Sequence, residues 1–258
     1  MVTVEVAGGW LSSTLLASLR IAASTMFVPI FGVSSVPNLV RIVWLVTLAA
    51  CLMAALPASP PQMPTDALGL AIASVGEAVI GASLGFGLLA AYSATQVAGR
   101  VLDIQIGFGV ASILNPSTRV PSSLLGAVFG MGGLMVFLAM DGHHVLIQAL
   151  TLSLQTYPPG RLALAPDLSG LLSQCSAMFS FGLALAAPVM FALLLADIAM
   201  ALMARSMPQL NVFVLSFSVK ILLGLLGLAF SVRFSEGVLQ ALFSGTFRFW
   251  DHIAGGSG

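Results

Sequence analysis

Five long stretches of this chain contain no charged residue: positions 21–40, 42–65, 78–99, 120–140 and 168–196. Each is about as long as the roughly 20 apolar residues that carry a helix across a bilayer. Two further runs, 206–219 and 221–232, flank a single Lys220. In hydrocarbon every backbone N–H and C=O must find a partner inside the protein, and a helix achieves this within one segment. No period-2 alternation suggests strands. The pattern predicts an all-α, polytopic membrane-type protein of about six long helices arranged in hairpins. One helical domain is expected over 1–254, with 255–258 (Gly-Gly-Ser-Gly) set aside as a linker remnant.

Composition agrees. Only 7% of the 258 residues are charged and 59% are hydrophobic, whereas soluble domains carry about 25% charge. The mean hydropathy is +1.07. Nine basic and nine acidic side chains balance, so nothing marks a nucleic-acid footprint. Cys51 and Cys175 lie in apolar runs without metal or redox spacing, and read as small buried hydrophobes. No Lys or Arg precedes Arg20, so a secretory signal is not expected at the N-terminus.

Punctuation divides the runs. Pro29-Ile30-Phe31-Gly32 ends a first helix, and Pro37 suits the first turn of a second. A Pro-rich loop runs from Pro57 to Pro64. Another opens at Tyr157-Pro158-Pro159-Gly160, and Met207-Pro208 interrupts the last helices. Basic residues are spread one per loop or span, so the positive-inside rule does not set an orientation.

Charges stand where lipid would not tolerate them. Arg20, Glu77, Asp197 and Lys220 lie within apolar runs, and Arg41 and Arg205 at helix ends. Arg100 and Asp103 share a helix face at i,i+3 spacing, and coupling of the two, to each other or to a shared neighbour, is expected. A charge at the bilayer centre costs about 2.5–3.5 kcal/mol even on the lenient insertion scale. These side chains must therefore meet protein or water. An ion relay through Glu77 and Asp197 is one reading; pairing between helices and between subunits is the preferred one, because the charges are scattered rather than clustered. Gly81-x-x-x-Gly85 and Gly126-x-x-x-Gly130 add small-residue faces on which helices approach closely.

Asp141-Gly142-His143-His144 is the one constellation with catalytic or metal-binding residue types. Adjacent histidines on a helix are expected to point in different directions, so the group reads as a polar capping turn rather than a site. No nucleotide loop, nucleophile elbow or H-E-x-x-H occurs, so no enzyme, cofactor or metal is expected. The segment Gly107-Phe108-Gly109-Val110-Ala111-Ser112-Ile113-Leu114-Asn115-Pro116 is different. Its glycines and proline oppose a regular helix, yet it is apolar. Non-helical backbone at membrane depth must be buried in protein or line a cavity.

The order of these fragments resembles the FliR family of flagellar export proteins and its injectisome relatives, the SctT proteins. The resemblance is carried by Pro29-Ile30-Phe31-Gly32, Glu77 to Gly87, Gly99 to Phe108, Asn115-Pro116, and Asp141-Gly142-His143-His144. It continues through Pro158-Pro159-Gly160, Ala187-Pro188-Val189 and Arg205 to Phe213. It implies a non-catalytic, channel-forming subunit of the type III export gate in the bacterial inner membrane. It also implies a helical hetero-oligomer with FliP-like and FliQ-like subunits and an FlhB-like switch protein, through which unfolded substrates pass. The segment from Gly107 to Pro116 would then be a plug in the channel. Arg20, Glu77, Arg100, Asp103, Asp197, Arg205 and Lys220 would face neighbouring helices and chains. Two alternatives remain: an injectisome subunit of the same family, and a secondary transporter coupled through Glu77, Asp197 and Lys220.

Overall fold

The structure is a computed structural model. It describes residues 2–26, 37–56, 66–108, 123–160, 168–207 and 212–255. Seven helices make up the described part, with no strand among those residues. In chain order they are α1 (Val2–Met26), α2 (Asn38–Ala55), α3 (Ala67–Ile106), α4 (Leu124–Ala139), α5 (Gly142–Thr156), α6 (Leu168–Ser206) and α7 (Val212–Gly255). Four are long and apolar enough to cross a membrane: α2, α3, α6 and α7. The pair α4 and α5, broken at Met140-Asp141, makes a fifth if taken as one span.

The charge-free runs misplace some boundaries. Among the described residues the expected span over 21–40 is shared by two helices: α1 starts well before it, ends at Met26 and carries Arg20 inside it, and α2 begins at Asn38. Charge-free length is a poor guide here because a buried partner lets a charge sit mid-helix. The same reason lets α3 run for 40 residues through Glu77 and Asp103. At 1.5 Å per residue that is about 60 Å, twice the roughly 30 Å of a hydrocarbon core. With 39 and 44 residues, α6 and α7 overrun it too. Cys51 is exposed and Cys175 half-buried, so neither is the buried hydrophobe expected. Both stand on helices whose apolar surface is only partly covered by this chain.

Two compact units divide the chain. The first comprises Met1–Ala90, Asp141–Gln174 and Gly245–Gly258. Its core joins Leu16, Ala17 and Ile21 of α1, Leu45 and Ala49 of α2, Ile80, Leu84 and Leu88 of α3, Leu146, Leu150 and Leu154 of α5, and Phe249 and Trp250 of α7. Trp250 is fully buried, and its indole Nε1–H donates to the Leu84 carbonyl at 2.8 Å. Ala91–Met140 and Cys175–Ser244 form the second unit. There Ala94, Ala98, Leu102 and Ile106 line one face of α3 at i,i+4 spacing, all buried. They join a core containing Leu125, Phe129 and Phe137 of α4, Leu185, Val189 and Leu193 of α6, and Leu239 and Phe243 of α7. The rings of Phe137 and Phe243 meet with centroids 5.4 Å apart.

Candidate assembly and channel site

Arg20 is the centre of the first unit's polar network. Its Nε donates to Glu77 Oε2 at 2.7 Å, Nη1 to the carbonyl and hydroxyl of Ser153 at 2.8 and 2.9 Å, and Nη2 to the Tyr157 carbonyl at 2.8 Å. The other oxygen of Glu77 accepts from Gly160 N–H at 3.3 Å. Both charges are sealed from solvent, at 0% and 1% exposure. Four partners satisfy the planar guanidinium fork, which is what makes a buried arginine tolerable. The network ties α1, α3, the last turn of α5 and the Tyr157–Gly160 turn together. Gly160 has φ +91°, a left-handed conformation that suits glycine.

The second unit holds a separate pair. Lys220 Nζ on α7 lies 2.6 Å from Asp197 Oδ1 on α6. These side chains are only partly covered, at 24% and 49% exposure. Glu77 and Asp197 therefore belong to two networks, each with its own cation. Arg100 and Asp103, expected to couple to each other or to a shared neighbour, lie in different surroundings. Asp103 is buried and accepts from Leu125 N–H at 3.3 Å, while Arg100 is exposed. Among the described residues no ion pair joins them, because the carboxylate is turned to the start of α4. Arg205 is exposed in the last turn of α6, where a cation suits the free carbonyl end of a helix.

The two glycine pairs do different jobs. Gly81 and Gly85 face α1 backbone: a Cβ on Gly81 would strike the Arg20 carbonyl, and one on Gly85 would fall 2.5 Å from Ser24 O. Gly126 and Gly130 face side chains of α3, with Gln96 Oε1 2.7 Å from a Cβ on Gly126 and Tyr92 Oη 3.0 Å from one on Gly130. Gln96 Nε2 also donates to the Gly126 carbonyl at 3.1 Å. The tightest approach of α3 and α4 is one that sequence spacing missed, where a Cβ on Gly99 would run into the Gly126 backbone. Gly99 has no G-x-x-x-G partner of its own, so no local pattern flags it. Ser153 and the Tyr157 carbonyl were likewise illegible, because nothing in sequence marks an acceptor for a distant arginine.

Of the expected plug, Gly107 and Phe108 lie in the described structure. Gly109, Val110, Ala111, Ser112, Ile113, Leu114, Asn115 and Pro116 fall outside the described residues. Gly107 ends α3 with φ +100° while its N–H donates to the Asp103 carbonyl at 3.1 Å. Glycine is required there twice over: by the left-handed φ, and because a Cβ would lie 2.7 Å from the Phe217 ring.

Asp141 sits between α4 and α5 with φ 55° and ψ 29°. It stands at the N-cap of α5, as the capping turn expected from sequence requires, but its side chain makes no capping hydrogen bond. The αL backbone is the reason: Asp tolerates it, and the Asp141 carbonyl rather than the carboxylate receives the His144 and Val145 N–H groups, at 2.8 and 3.2 Å. His143 and His144 also depart from expectation. Their ring centroids are 4.2 Å apart, and they lie beside the carboxylate instead of diverging.

A sequence profile of bacterial export proteins, family 1, matches residues 11–246. The chain is 30% identical over 236 residues to the flagellar biosynthetic protein FliR of Bacillus subtilis, covering 89% of this chain and 90% of the relative. It is 30% identical over 248 residues to FliR of Escherichia coli, covering 95% and 94%. It is also 31% identical over 162 residues to the secretion system apparatus protein SsaT of Salmonella typhimurium, covering 62% of each. The resemblance read from short fragments thus extends across nearly the whole sequence, and the chain belongs to the bacterial export proteins, family 1.

Proposed function

We propose that this chain is a structural, channel-forming subunit of the flagellar type III export gate, without catalytic activity. The observation that carries the reading is the near end-to-end match to FliR proteins of two distant bacteria, at 30% identity. The structure supports it physically. The apolar windows of α2 and α7 are each only 11% buried within the chain. Leu39, Ile42, Val43 and Trp44 on α2 are exposed, as are Leu222, Leu225, Phe230 and Phe234 on α7. Such surface needs lipid or other helices. The half-exposed Asp197–Lys220 pair would be costly against lipid and favours a neighbouring chain or water. FliP-like and FliQ-like subunits and an FlhB-like switch protein are the proposed neighbours, in the inner membrane, with unfolded export substrates crossing the assembly. The injectisome reading rests on the SsaT match, and its 62% coverage makes it the second choice.

Co-expression tests this. The chain should purify in a stable hetero-complex with FliP-like and FliQ-like subunits from its own genome, and its deletion should abolish swimming. A monodisperse, heat-stable chain without those partners, together with unimpaired swimming in the deletion strain, overturns the proposal.

A further inference from the structure

The turn between α4 and α5 brings three metal-ligating side chains to one point. One carboxylate oxygen of Asp141 and one ring nitrogen from each of His143 and His144 lie within 4.8 Å of one another. The Asp141 carboxylate, at the N-cap, and His144 in the first turn of α5 are i,i+3 neighbours, with Oδ1 and Nδ1 3.6 Å apart. Two donors held 2.0–2.1 Å from one tetrahedral zinc lie roughly 3.4 Å apart, so this pair is close to its ligating separation. The His143 ring is tilted only 34° from its neighbour. Two imidazoles on one tetrahedral ion place their centroids roughly 5 Å apart, so the two rings, at 4.2 Å, need open by only about 1 Å to share one.

We propose that Asp141, His143 and His144 bind one divalent first-row transition ion, of which Zn²⁺ is the test case. Imidazole nitrogen and carboxylate oxygen are the donors such ions take. The remaining closure is a side-chain rotation. It is cheap here because Asp141 and His144 are 72% and 66% exposed and free to change rotamer. The carboxylate supplies the negative charge that offsets the N–H groups at the start of α5, which repel a cation. An exposed three-donor site lacks a supporting shell, so affinity on the order of micromolar is expected. The fourth position is open to water or to a donor from an adjacent chain. Bound there, the ion bridges Asp141 to the first turn of α5 and stiffens the start of that helix.

The test uses the full chain within its purified complex, prepared with a histidine-free tag, stripped with chelator and dialysed against ZnCl₂. Metal content is read by elemental analysis, and Co²⁺ substitution by its visible absorption. The parent should hold one more zinc per chain than Asp141→Asn, and His143→Ala/His144→Ala should lose it as well. Either single histidine change should weaken binding at least about tenfold. These side chains are exposed, so complex yield and metal-free melting should be unchanged, which separates ion loss from misfolding. Equal zinc content in parent and variants, whether none or one ion, overturns the site. Because binding is read without reference to export, failure here leaves the gate assignment standing.

Discussion

Burying the guanidinium of Arg20 strips it of water, and only its contacts to Glu77, Ser153 and Tyr157 compensate. Removing one member leaves the other charge desolvated and unpaired. Glu77→Leu should therefore cost about 3–5 kcal/mol of stability. Arg20→Met with Glu77→Leu should cost less than the two single changes together, because neither charge is then stranded. Melting of the purified complex across the four variants measures this, and strict additivity would remove the pairing argument. Asp197 and Lys220 offer a contrast. Their partial exposure screens the pair, so neutralising both should change the stability of the isolated chain far less.

Between helices, the relevant quantity is how close two backbones stand. At Gly85 an added methyl meets Ser24 O at 2.5 Å and Ser24 C and Cα at 3.1 Å, all backbone atoms that cannot swing aside. Gly85→Ala should push α1 from α3 and destabilise by about 1–3 kcal/mol. At Gly132 on α4 no atom of the described residues lies within 4 Å of an added Cβ. Gly132→Ala there should be neutral, or stabilise by up to about 1 kcal/mol through the lower backbone entropy of the unfolded chain. Gly130→Ala should fall between them, since the Tyr92 hydroxyl and Gln96 amide it meets are the tips of movable side chains. Thermal denaturation of the three variants checks the order, and a Gly85 change as mild as Gly132 would contradict it.

For the whole molecule, the proposed plug is the feature with a functional readout. The chain leaves α3 at Gly107, which is held by the Asp103 carbonyl, and the described residues resume at Ser123, whose hydroxyl accepts from Gly126 N–H at 2.8 Å. Gly107 and Ser123, which flank the segment that contains the plug, both belong to the second unit. Deleting residues 109–112 should leave complex yield near that of the parent and raise ion or dye leakage across the membrane. Conductance or dye uptake in cells expressing the complex, with complex abundance measured in parallel, decides it. A deletion that assembles and stays tight would make the segment a buried connector.

Read alone, the sequence determined that this chain is helical and membrane-type, because 7% charge cannot wet a soluble surface and an apolar backbone must hydrogen-bond to itself. It also placed the breaks near Pro37, Gly107, Asp141 and Pro158, since glycine and proline act on local backbone geometry. The tertiary structure alone decided what each charge and glycine meets. Arg20 pairs with Glu77 across 57 positions and reaches Tyr157 across 137. Asp103 turns from Arg100 to Leu125, and Gly99 meets Gly126. These are long-range choices set by which faces pack, and sequence spacing along one helix carries no information about the helix opposite. His143 and His144 show the same limit at short range. Helical period alone separates them, and it took the left-handed backbone at Asp141 to start α5 where both rings lie beside one carboxylate.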